Sequence, residues 1–145
     1  MSDIMVVVNL VAAFILGGAI GWVREKESKA AGLRTHVLVS VGSALFMIIS
    51  GQMMVMSGGA DPGRIAAGVV TGIGFIGAGC ILQAGGEVRG ITTAASIWIT
   101  SAIGIAAGLG FYVGAVAATA ITLLTLQLLR EVETNIIRTK GHKEG

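Results

Sequence analysis

From Ile91 to Leu129 the chain runs 39 residues without a charged side chain. At about 1.5 Å of rise per residue, one helix of that length would be nearly twice as long as a hydrocarbon core of roughly 30 Å is thick. Such a stretch has to fold back on itself. Gly108 to Gly110, followed by Phe111 and Tyr112, is where glycine-permitted backbone and interface-seeking rings coincide. The expectation is a helix from Ile91 to about Ala107 and another from Phe111 to Leu129.

The rest of the chain has the same character. Mean hydropathy is +0.86 and only 12% of residues are charged, about half the share in an average soluble domain. Ile4 to Val23 is long enough to span, and with Asp3 as its only early charge it lacks the basic leader of a signal peptide, so it is expected to stay as an anchor. The charged loop Arg24 to His36 overlaps the start of a second helix, Leu33 to Met56. The turn Ser57 to Gly63 precedes a third, Ile65 to Leu82, and the turn Gln83 to Gly90 precedes the fourth. The single Cys, Cys80, excludes an intramolecular disulfide.

These spans predict an all-α integral membrane bundle of five helices over residues 1–129, with 130–145 as a polar cytoplasmic tail. Five spans place nine of the ten Lys and Arg on one side and only Arg64 on the other. By the positive-inside rule the N-terminus is then outside and the C-terminus inside. Helices one and two, laid beside three and four, suggest a duplicated helix pair with parallel orientation.

Polar residues inside the spans fall into stripes. His36, Ser40, Ser43, Met47 and Ser50 recur on helix two in steps of four and three, and Thr93, Ser96 and Thr100 do so on helix four. Small residues on all five helices suit close packing, and the glycine-rich third helix is read as the element that lets the bundle close. The stripes have two readings. Hydroxyls in membrane helices bond their own i−4 carbonyls and neighbouring helices, or they line a hydrated path. No carboxylate stands in the middle of any span, which weighs against Mg²⁺ transport, since Mg²⁺ takes carboxylate and water oxygens.

Arg34 and Arg89 stand at two helix N-termini on one membrane face, where the helix dipole opposes them. Something anionic should compensate: Glu25, Glu27 or Glu87, lipid headgroups, or a phosphate-like ligand held with the hydroxyls of Thr35, Thr92 and Thr93. On the other face Asp61 and Arg64 read as a capping pair for helix three. His36 reads as an interfacial polar residue and Cys80 as a packed one.

The blocks GWVREKESKAAGLRTHVLVSVGSALFMIIS, DPGRIAAGVVTGIGFIGAGCIL and VRGITTAASIWITSAIGIAAGLG resemble the MgtC/SapB family of bacterial inner-membrane proteins, over roughly Ile4 to Leu129. The resemblance implies a multi-pass location in the bacterial inner membrane, a link to growth in low Mg²⁺ and, in pathogens, to survival inside macrophages. It carries over to Arg24, Glu25, Arg34, Thr35, Asp61, Arg64, Arg89, Thr92 and Thr93, and it implies a short member without the C-terminal soluble domain of many relatives.

Two function classes follow. One is a non-enzymatic protein that modulates other membrane proteins through its small-residue faces. The other is an oligomeric transporter or channel for Mg²⁺ or another small ion, lined by His36, Ser40, Ser43, Ser96 and Thr100. No nucleophile–base pair, metal-ligand cluster or phosphate loop points to an enzyme, and no cofactor is expected, with Mg²⁺ kept open as the alternative. The partners expected are the lipid bilayer, a second copy in a homo-oligomer, most simply a dimer, and another membrane protein; nucleic acid is not among them.

Overall fold

The computed structural model describes residues 2–57, 61–84 and 87–132. Residues 58–60 and 85–86, in the two expected turns, and the tail from 133 onward lie outside the described residues. Among the described residues five helices follow one another: α1 (Asp3–Lys26), α2 (Leu33–Ser57), α3 (Pro62–Gly79), α4 (Ile91–Gly108) and α5 (Tyr112–Val132). Three of them, α1, α2 and α4, are long and apolar enough to cross a membrane, while the apolar parts of α3 and α5 are shorter.

The long uncharged stretch does fold back at its glycines. Helix α4 stops at Gly108, and Gly110 takes the left-handed backbone at φ 76°. There the Gly110 N–H donates to the Ala107 carbonyl and the Phe111 N–H to the Ala106 carbonyl, both at 2.9 Å. This Schellman-type ending satisfies the last carbonyls of α4, as an apolar surrounding requires.

Helix three differs from its expected bounds, starting at Pro62 rather than Ile65 and stopping at Gly79 rather than Leu82. The residues expected to be a plain turn form a small antiparallel hairpin, β1 (Leu82–Ala84) with β2 (Glu87–Arg89), in which Leu82 faces Arg89 and Ala84 faces Glu87. Pairing across the hairpin gives these backbone groups the partners that a longer α3 would have supplied. Gly90 links β2 to α4 at φ 93°, so close to the Cys80 carbonyl oxygen that a Cβ would overlap it.

The centre of the bundle is α1, α2 and α4, with α5 against α4 and α1, and α3 against α4 and α2. Glycines set how closely the central three approach. A Cβ on Gly17 would stand 2.6 Å from the Ser40 Cβ, and one on Gly21 2.8 Å from the Leu33 Cα; one on Gly104 would overlap the Ser40 carbonyl oxygen. The apolar interior is correspondingly made of small residues, Ala13, Ala44 and Ala107 at the α1–α2–α4 crossing, with Ile20, Ile103 and Ala115 toward α5. Large apolar side chains face outward instead: Leu38 is 72% exposed, Phe75 84% and Val113 80%. Oil outside and hydroxyls inside is the distribution a bilayer solvent favours.

The expectation that the glycines of helix three close the bundle is overturned. Of the α3 glycines only Gly77 meets another helix, with Ala94 at 3.5 Å, whereas a Cβ on Gly68, Gly72, Gly74 or Gly79 would meet nothing within 4 Å. Helix α3 docks through Ile73 and Gly77, and its other glycines look outward because the α2–α4 contact, made at Gly104 and Gly108, leaves α3 at the edge.

Candidate functional site

A buried polar seam runs along the α1–α2–α4 interface. It begins at Arg24 in the last turn of α1, a position where a cation complements the helix dipole. The side chain is 3% exposed, donates from Nη2 to the Thr93 hydroxyl at 2.7 Å, and has Nη1 3.6 Å from Glu27 Oε2. Thr93 belongs to the first turn of α4, so this contact ties the end of α1 to the start of α4.

His36 lies next along the seam and is fully buried within the bundle. Gly21 on α1 makes room for it, since a Cβ there would come within 3.0 Å of the His36 Cβ. Its Nδ1 is 2.8 Å from the Gly32 carbonyl, which can only accept, so Nδ1 carries a proton. Its Nε2 is 3.1 Å from the Ser96 hydroxyl, which also lies 2.8 Å from the Thr93 carbonyl. Ser96 has one proton for these two acceptors. A neutral imidazole receives it at Nε2, and an imidazolium would turn it to Thr93.

Farther along, Thr100 donates to the Ser96 carbonyl at 2.7 Å and the Ser43 and Ser101 hydroxyls pair at 2.9 Å. The seam ends where Asn9 Nδ2 donates to the Gly108 carbonyl at 2.9 Å and the Tyr112 hydroxyl donates to Asn9 Oδ1. Ser40 is the exception. Its hydroxyl is fully buried against Gly17 and makes no hydrogen bond among the described residues.

The structure thus brings Arg24, His36, Ser40, Ser43, Thr93, Ser96 and Thr100 onto one interface. It does not gather the rest into an anion site. Glu25 Oε2 accepts the Leu33 N–H at 2.9 Å, capping α2 with the chain's own carboxylate. Arg34, Arg89 and Thr92 are exposed and Thr35 is half-buried; Glu87 lies in β2, and its side chain is outside the described residues. Arg24 is an arginine that reaches the first turn of α4. On the opposite end Asp61 caps α3 by accepting the Gly63 N–H at 2.8 Å, while Arg64 joins the expected capping pair only through its backbone N–H to the Asp61 carbonyl. Cys80 Sγ lies 3.5 Å from its own-helix carbonyl at Ile76. Among the described residues no three His, Cys, Asp or Glu could hold a metal ion.

Residue reading had missed Asn9, Ser101, Glu27's contact with Arg24, and Tyr112. A signal was present: Asn9, Ala13, Gly17, Gly21 and Arg24 step by four, four, four and three, and all five are buried.

These features define a small helical membrane protein whose central helices are joined by a buried polar seam. The MgtC family model matches residues 10–135, and the chain belongs to that family. The MgtC/SapB resemblance read from its motifs therefore holds. YhiD of Escherichia coli K12, provisionally named a magnesium transporter, is 47% identical over 141 residues, covering 94% of this chain and 66% of that protein. The MgtC protein of Salmonella typhimurium LT2 is 45% identical over 140 residues, 96% of this chain and 58% of its own length. MgtC of Brucella abortus is 45% identical over 121 residues, 83% of this chain and 50% of its own. The chain thus spans about half to two thirds of these relatives. No solved structure matches it.

Proposed function

We propose that the chain is a non-enzymatic multi-pass protein of the bacterial inner membrane that serves adaptation to low Mg²⁺ by modulating other membrane proteins. It crosses five times, N-terminus out and C-terminus in, with α3 and α5 spanning as short helices. Trp22, with Lys26 Nζ 5.2 Å from its ring centroid, sits at the cytoplasmic headgroup level.

One observation carries this reading. Apart from Ser40, the polar stripes of α2 and α4, the candidate path, are bonded to each other and to their own helices, and Gly17, Gly21, Gly104 and Gly108 bring the backbones into contact around them. Such an interface has no room for a hydrated ion. The outer face of α3, with Thr71, Gly74 and Phe75 exposed, is the surface offered to a second copy or another membrane protein.

The second reading, an oligomeric carrier of Mg²⁺ or another small ion, draws on the name given to YhiD of Escherichia coli. Its path would then run between subunits. Ion flux into liposomes containing the purified chain separates the two: no flux, with a co-purifying membrane protein lost on Gly74→Leu, supports modulation. Flux that falls on Ser96→Ala supports transport through the bundle and overturns the proposal.

A further inference from the structure

An open groove of about 780 Å³ lies between α2 and α3, walled by Leu38, Phe46 and Ile49 on one side and Ile65, Gly72 and Ile76 on the other. Its floor is bare, because a Cβ on Gly42, Gly68 or Gly72 would meet nothing within 4 Å. The hydroxyl of Ser43 also borders it but is already bonded to Ser101. The groove therefore recognises hydrocarbon.

Its length points to the kind of hydrocarbon. From Leu38 to Ile49, α2 rises about 16 Å, close to half of the roughly 30 Å core and so the depth of a single leaflet. A docking transmembrane helix would need a groove running the full thickness. The groove begins near the start of α2, and one turn below Leu38 stands Arg34, exposed. No acid in the described structure neutralises it: Glu25 caps the Leu33 N–H, and Glu27 faces Arg24. Side chains on a helix lean toward its N-terminus, which takes the Arg34 guanidinium toward the headgroups. At the far end Arg64 has the carboxylate of Asp61 within one turn.

We propose that this groove is a lipid site, holding an acyl chain of an anionic glycerophospholipid of the cytoplasmic leaflet with its headgroup phosphate on Arg34. The leaflet assignment rests on the orientation proposed above; the site itself rests on the groove and Arg34.

The test is native mass spectrometry of the full chain, delipidated and titrated with phosphatidylglycerol or phosphatidylcholine. The wild type should retain phosphatidylglycerol about fivefold better, the factor expected of one basic residue facing an anionic headgroup. Arg34→Gln should bring the two lipids level, Arg64→Gln should change nothing, and Gly72→Leu, with Gly42→Leu as a second filling variant, should lower retention of both at unchanged helicity and melting temperature. Unchanged selectivity in Arg34→Gln, or undiminished retention in both filling variants, overturns the site. A Gly72→Cys variant that cross-links between copies in the membrane makes the occupant a helix and overturns it too. An alkaline phosphatase fusion after residue 145 reads the orientation separately: periplasmic activity removes the leaflet assignment and leaves the lipid titration standing as its own test.

Discussion

Arg24 on α1 and Thr93 on α4, 69 residues apart in the chain, meet through a 2.7 Å hydrogen bond that fixes the end of one central helix to the beginning of another. Removing one partner of a buried charged contact leaves the other exposed to the full desolvation cost, typically about 3–5 kcal/mol. Arg24→Met should fall near the low end, about 3 kcal/mol, because its acidic neighbour Glu27 keeps 12% exposure to solvent. Thr93→Val should cost only about 0.6–1.7 kcal/mol, the range for single hydrogen bonds between membrane helices. Unfolding titrations of both single variants and the double variant give the coupling. Additive losses would show that the two residues do not act on each other.

The outward turn of α3 predicts opposite outcomes for two glycine families. Gly104→Ala drives a methyl into the Ser40 carbonyl, backbone that cannot step aside, and should cost about 1–3 kcal/mol. Gly72→Ala places its methyl in open space and gains helix propensity, so it should be neutral or stabilising by up to about 1 kcal/mol. Melting temperatures of the two variants in one detergent make the comparison. Equal losses would mean that α3 packs its glycine face as tightly as α4 does.

Ser40 gives the sharpest contrast between a path and a packed seam. Its hydroxyl is buried and unbonded, an arrangement that typically costs about 1–3 kcal/mol, so Ser40→Ala should leave stability unchanged or raise it by about 1 kcal/mol. The same change in a hydrated path would remove a lining hydroxyl and destabilise nothing, yet alter conductance. Thermal unfolding and liposome flux measured on this single variant therefore separate the two: a stabilised protein with no flux before or after fits the packed seam.

Residues that repeat with helical spacing were legible in the sequence, and residues whose surroundings belong to other helices were not. The Gly108–Gly110 reversal could be read because no single helix could hold the uncharged stretch, and the His36–Ser40–Ser43 stripe because its period is helical. Arg24 is singled out by the family resemblance, but its burial is hidden by its neighbours: within the charged run from Arg24 to Lys29 it looks like a solvated loop residue, and only its step of three from Gly21 marks it as inward. Helix α3 failed for another reason. Glycines occur around much of its circumference, so composition alone fixes no inner face, and the facing is decided by α4 through Ala94 and Ile97. The hairpin at Leu82 to Arg89 depends on pairing that local glycine content does not reveal.

Asn9 is the seam's second anchor, joining α1 to both sides of the α4–α5 reversal through Gly108 and Tyr112. Tyr112→Phe removes one hydroxyl and leaves the Asn9 amide bonded to Gly108, so it should cost about 0.6 kcal/mol, near the average for such bonds. Asn9→Leu removes both contacts and forces a branched side chain against the Gly108 backbone; about 2–3 kcal/mol is expected from lost bonding plus overpacking. Because the reversal holds α5 in place, Asn9→Leu should also loosen α5, read as faster amide exchange in Tyr112 to Leu128, while α3 exchanges as before. Exchange that rises equally in α3 and α5 would mean that Asn9 supports the whole bundle, not the turn it touches.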